Sequence, residues 1–160
     1  MRRTWRPETL AVVAGRPEEP GAPLNTPPTF VSVFRDGGTY GYGRWGNPTW
    51  TAFEEALGTL EGGRALAFSS GQAAIAAVLE TLPVAATVVL PDSAYLGTRG
   101  LLADLASARR LKMLAVDVTD TQAVLAAMAG ADLLWLETPT NPLLGIVDLK
   151  RVLRRRTTST

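Results

Sequence analysis

The sequence has no cysteine and no histidine in its 160 residues. Without cysteine, a disulfide framework and a thiolate zinc site are excluded. Without histidine, the commonest metal ligand and the commonest general base are missing. Any catalysis must run through Lys, Tyr, Asp, Glu or a bound cofactor. Charge of one sign is lacking too: 16 Lys and Arg stand against 15 Asp and Glu, a formal net charge of +1. That balance gives no electrostatic footing for nucleic acid or an anionic membrane as partner. No apolar run reaches membrane-spanning length, and Met1–Arg16 lacks the apolar stretch of a signal peptide. The expectation is a cytoplasmic protein.

What is present suits one folded domain of ordinary size: 46% hydrophobic and 19% charged residues. Residues 1–46 read as an extended arm, with Pro20, Pro23, Pro27 and Pro28 clustered around Gly21. Within it Phe30–Phe34 is a short β-like run, and Asp36–Gly46 is a glycine-rich loop. A helix is predicted from Asn47-Pro48, because Asn caps well and Pro is tolerated at the first helical position. Trp50, Phe53, Leu57 and Leu60 give it an apolar face, and Gly62-Gly63 ends it.

From there strands and helices alternate. Strands are predicted at Ala65–Phe68, Thr87–Leu90, Leu111–Val116 and Asp132–Glu137. Helices are predicted at Ser70–Leu82, Tyr95–Ala106, Thr121–Met128 and Leu149–Arg155. Apolar strands separated by helices imply an α/β fold with a mostly parallel sheet covered on both faces. Such sheets bind ligands in the turns at the carboxyl ends of their strands.

Those turns hold the candidate residues. Ser69-Ser70-Gly71-Gln72 opens a helix, and unpaired backbone N–H groups at a helix N-terminus suit a phosphate. A plain Ser70 cap explains the same turn. Gly41-Tyr42-Gly43-Arg44-Trp45-Gly46 matches the dinucleotide pattern G-x-G-x-x-G by letter only, since three bulky side chains crowd it and no strand leads directly into it. Arg44 is a donor fork suited to phosphate beside the Tyr42 hydroxyl, or else part of a solvated loop. Tyr95 offers an aromatic face for a planar cofactor, or packs. Asn141, following Glu137, offers a side-chain amide between two prolines, in a turn type common without function.

The segment Tyr42-Gly43-Arg44-Trp45-Gly46-Asn47-Pro48-Thr49 resembles the Y-S-R-x-x-N-P-T signature of the Cys/Met-metabolism enzymes that depend on pyridoxal 5′-phosphate (PLP). Further blocks match in order: Leu60–Gly63, Ala67–Ile75, Asp92–Thr98 and Trp135–Pro142. The similarity runs from about Thr26 to about Leu149. It implies the arm and part of the large domain (residues 47–149) of a fold-type-I PLP-dependent transferase. It implies transsulfuration, the making or breaking of C–S bonds on amino-acid substrates of the cystathionine or O-acylhomoserine type. It also implies site roles. The amides of Gly71 and Gln72, beside Ser70, would hold the PLP phosphate. Tyr95 would stack on the pyridine ring, and Asn141 would approach its 3′-oxygen with Glu137 nearby. Tyr42 and Arg44 would reach the phosphate of a neighbouring subunit, in a homo-oligomer built from dimers.

The sequence also departs from the family. Gly43 stands where Ser is usual, and Gln72 where Met is usual. Residues 150–160 form an atypical basic tail. The V-D-N-T-F-type strand and the S-x-T-K-type segment with the Schiff-base lysine are not among these residues. The only lysines are Lys112 and Lys150, neither in the required surroundings. The expectation is a truncated chain that is inactive alone, with no catalytic residue of its own. The alternative is a non-catalytic remnant that binds a phosphate cofactor weakly or pairs with a full-length paralogue.

Overall fold

A computed structural model describes residues 5–154, so Arg155 and the rest of the basic tail lie outside it. The chain divides between Ser69 and Ser70 into two compact units.

The first unit holds two helices, α1 (Pro7–Val13) and α2 (Pro48–Glu61). The helix at 7–13 departs from an extended arm. Pro7 starts it, and short as it is, it is held by packing on α2. Gly15 then turns with φ +73°, and a Cβ there would strike the Ala52 carbonyl. Glycine is required on both counts.

Helix α2 begins where the sequence places it. Asn47 is 2% exposed, and its Oδ1 accepts from the Thr49 amide at 2.9 Å. Its Nδ2 donates to the Thr29 carbonyl at 3.0 Å, and the Thr29 amide donates to Thr49 Oγ1 at 2.8 Å. One side chain therefore caps the helix and straps the arm to it. Gly62, at φ +68°, ends the helix in the left-handed conformation. The expected apolar face is only partly used, since Phe53, Leu57 and Leu60 are exposed and Gly58 is the residue buried. Residues 30–34 form no strand. A single antiparallel bridge joins Val33 to Tyr42.

The second unit is a parallel three-stranded sheet in the order β2-β1-β3, with β1 at Ala86–Pro91, β2 at Leu111–Val116 and β3 at Leu133–Leu134. Register pairs Ala86 with Leu111 and Val88 with Leu133. Helices α3 (Gly71–Glu80), α4 (Leu96–Ser107), α5 (Thr121–Ala127) and α6 (Leu149–Arg154) complete it, with a 3₁₀ turn at Met128–Gly130.

The period-two alternation of a strand sorts the core into two clusters. Ala86, Val88 and Leu90 pack with Leu79 and Leu102, joined by Leu133 and Trp135. Val118, Val124, Val147 and Val152 form the other cluster, joined by Val116, Leu134 and Leu136. The sheet is less covered than the sequence suggests: Lys112–Ala115 of β2 are exposed. The strand expected at Ala65–Phe68 does not form. Among the described residues its backbone is bonded from Ala67 N to Glu54 Oε1 at 2.8 Å and to no neighbouring strand, and a strand without a paired neighbour has no ladder. The third strand is shorter than expected, though the amides of Asp132 and Trp135 extend its bonding to Thr87 and Val89.

Two outcomes follow. Asn47→Ala removes the cap and the strap together and is expected to destabilise the chain by about 2 kcal/mol, read by denaturant unfolding. Asp117, after β2, is held below the ordinary aspartate value by the Thr119 hydroxyl at 2.7 Å and then by the Thr119 amide at 2.8 Å. The stability from those bonds is present above the ordinary value of 3.8 and is lost as pH falls through the lowered folded value. Acid unfolding of Asp117→Asn is expected to fall less steeply in that window than that of the parent chain.

Candidate cofactor site

In a parallel sheet every strand delivers its turn to the same edge, which is where a site can form. Strand β1 ends at Pro91, and the turn after it leads into α4 through Tyr95. The chain beyond β3 brings Glu137 to this turn: its Oε2 accepts from the Tyr95 amide at 2.8 Å. Its Oε1 accepts from the Trp135 indole Nε1 at 3.0 Å. Both carboxylate oxygens thus have protein donors, and Trp135 is itself packed against the core cluster below.

Helix α3 presents its N-terminus at the same turn. Ser70 caps it, with Oγ accepting from the Ala73 amide at 3.1 Å. The Gly71 and Gln72 amides meet no acceptor among the described residues, as expected for the first turn of a helix. Nothing lies within 4 Å of where a Cβ on Gly71 would be, so the approach to them is open. The Gln72 side chain crosses to α4, with Nε2 donating to the Gly97 carbonyl at 3.2 Å. A Cβ on Gly97 would lie 2.5 Å from Tyr95 Cε1 and 2.6 Å from Gln72 Oε1. The Tyr95 ring and the Gln72 amide therefore both rest on the bare backbone of Gly97. Tyr95 is still 61% exposed, leaving surface for a planar ligand.

The sequence-predicted residues thus fall into groups. Ser70, Gly71, Gln72, Tyr95 and Glu137 meet around one turn of the second unit. Asn141 is exposed in the following loop, and its amide makes no hydrogen bond among the described residues. Tyr42 and Arg44 belong to the first unit. There the Arg44 guanidinium lies 5.3 Å from the Tyr42 ring centroid and donates to the Tyr42 hydroxyl at 3.4 Å. They border an open cavity of about 410 Å³ with Phe30, Ser32 and Trp50. The glycine at position 43 has a local cause. A Cβ would sit 3.0 Å from the Val31 carbonyl and 3.2 Å from Ser32 Cα.

Sequence reasoning missed Gly97 and Trp135 as parts of the site. A glycine in the first turn of a helix is a usable sign of close approach. The Trp135–Glu137 bond follows from alternation along a strand, which puts residues two apart on one face.

Residues 20–158 match the family described as Cys/Met metabolism PLP-dependent enzyme, so the match continues into the basic tail. The chain is 40% identical over 162 residues to a putative cystathionine gamma-lyase of Streptomyces coelicolor, covering 90% of this chain and 39% of that one. It is 37% identical over 135 residues to the cystathionine beta-lyase MetC of Bacillus subtilis, covering 82% and 35%. A solved cystathionine gamma synthase from Xanthomonas oryzae pv. oryzae in complex with cystathionine superposes with a TM-score of 0.86 at 35% identity, covering 97% of this chain and 42% of that one. The chain spans less than half the length of these relatives. With that match, the α/β fold is part of the fold-type-I PLP architecture, and the chain belongs to the Cys/Met metabolism PLP-dependent enzyme family.

Proposed function

We propose that this chain supplies the phosphate-binding and ring-stacking part of a PLP-dependent enzyme of sulfur amino-acid metabolism. The observation that carries the reading is the pair of unbonded amides at Gly71 and Gln72 beside the exposed Tyr95 ring. This donor set fits PLP. The amides and the positive end of the ten-residue α3 suit a phosphate, and Tyr95 suits a flat ring. When bound, PLP supplies the electron sink for bond changes on an amino acid. The chain's own residues bind and orient it. Asn141, exposed and unbonded, is assigned to a ring oxygen.

The substrates proposed for the whole protein are cystathionine or O-acylhomoserine-type amino acids, with C–S bonds formed or cleaved in the cytoplasm. These residues alone are proposed not to turn substrate over. Lys112 lies exposed on β2 and Lys150 on α6, and neither has been brought to the Tyr95 turn by a bond in the structure. Tyr42 and Arg44 are proposed to serve the phosphate of a neighbouring copy. Phe30, Val33 and Trp45 around them are 94%, 72% and 85% exposed, which favours burial in an assembly.

A titration of this chain with PLP, followed by absorbance, tests the reading. Saturable binding is expected, with pyridoxal lacking the phosphate binding about a hundredfold more weakly, since charge-assisted bonds to the phosphate are lost. Equal binding of both would overturn the phosphate assignment. Borohydride reduction is expected to leave no adduct at a single lysine. Such an adduct together with cystathionine turnover would overturn the proposed inactivity.

A further inference from the structure

We propose that Glu137 is a positioning residue: it sets where the Tyr95 ring stands and makes no contact of its own with the cofactor. The inference rests on the PLP reading above. A carboxylate one hydrogen bond from a cofactor-stacking residue invites assignment as a cofactor ligand. Its geometry here points to another role, because Oε2 takes the Tyr95 amide at 2.8 Å and Oε1 takes the Trp135 indole at 3.0 Å. These are charge-assisted bonds of ordinary length to two different donors.

Each of the three residues has a distinct part. Trp135 is partly buried against the cluster of Leu79, Val88 and Leu90, so it is an anchor fixed by packing. Glu137 carries that anchor to the backbone of the β1–α4 turn. Tyr95 stands at the N-cap of α4 with φ −46° and ψ 133°, and no side-chain bond caps the helix there. Among the described residues the Tyr95 amide donates to Glu137, so the carboxylate holds this backbone angle. From it the ring lies against Gly97, in space that any side chain there would fill, since a Cβ would lie 2.5 Å from Tyr95 Cε1. The residue is thus held at its backbone by Glu137 and rests on Gly97, and it stays largely exposed.

Because Glu137 acts through Tyr95, the two contributions to cofactor binding must be non-additive. Glu137→Ala is expected to weaken PLP binding about tenfold, and Tyr95→Ala by a similar factor, within the range of aromatic contacts. The double variant is then expected to bind no more weakly than the weaker single one. Multiplying effects would mean an independent contact with the cofactor and would overturn the proposal. A second readout needs no cofactor. Hydrogen exchange at the Tyr95 amide is expected to speed up about tenfold in Glu137→Ala while amides of β1 stay protected. An unchanged Tyr95 rate would overturn it as well. If the parent chain binds no PLP, the proposed function fails and the exchange experiment still decides the role of Glu137. If Glu137→Ala does not fold, Glu137→Gln takes its place, since its NH2 group cannot accept from the donor it would face.

Discussion

The second unit depends on strand β1. It is hydrogen-bonded on both edges, to β2 and to β3, and Val88, Val89 and Leu90 are essentially inaccessible. A strand in that position needs apolar side chains on both faces, which the run Ala86–Leu90 supplies with a single threonine. Its alternation assigns every neighbour a side. Leu133 and Trp135 go with one cluster, and Leu134 and Leu136 go with the other. Shifting β3 by one residue would turn Trp135 away from its cluster and carry Glu137 from the Tyr95 amide.

Parallel pairing then concentrates polar groups at one edge. The turn after β1 holds Tyr95, the chain after β3 holds Glu137, and the Gln72 side chain ties the N-terminus of α3 to α4. The result pairs a rigid aromatic platform with a helix end whose first amides are open. Rigidity comes from packing through Trp135 and from Gly97, whose missing side chain lets Tyr95 and Gln72 lie against it, while the surroundings of Gly71 stay open. In the first unit the same economy recurs at Asn47, where one buried amide caps α2 and holds the arm at Thr29. Gly43 lets two stretches of backbone lie against each other where a serine would crowd them.

Much of this was legible in the chain. Helix α2 carries its cap, its proline and its terminal glycine in sequence, and all three act as such. Strand β2 was placed residue for residue, and α3 opens at its Ser70 cap as expected. The errors share a cause. Ala65–Phe68 has strand composition, but a strand is defined by its neighbour, and no ladder forms there. Pro7–Val13 has a helix-starting proline but is only seven residues long, too short to announce itself without α2 to pack on. The α2 face at Phe53, Leu57 and Leu60 has the right spacing, yet spacing does not say which residues find a partner surface.

The sequence by itself determined the alternation of strand and helix from β1 onward, the Asn47 and Ser70 caps and the apolar central strand, because these follow from local conformation and side-chain chemistry. Only the tertiary structure decided that Gln72 reaches Gly97 and that Glu137 reaches the Tyr95 amide. Those facts are distances between residues 25 and 42 positions apart, and they exist only once strand register has brought the turns together.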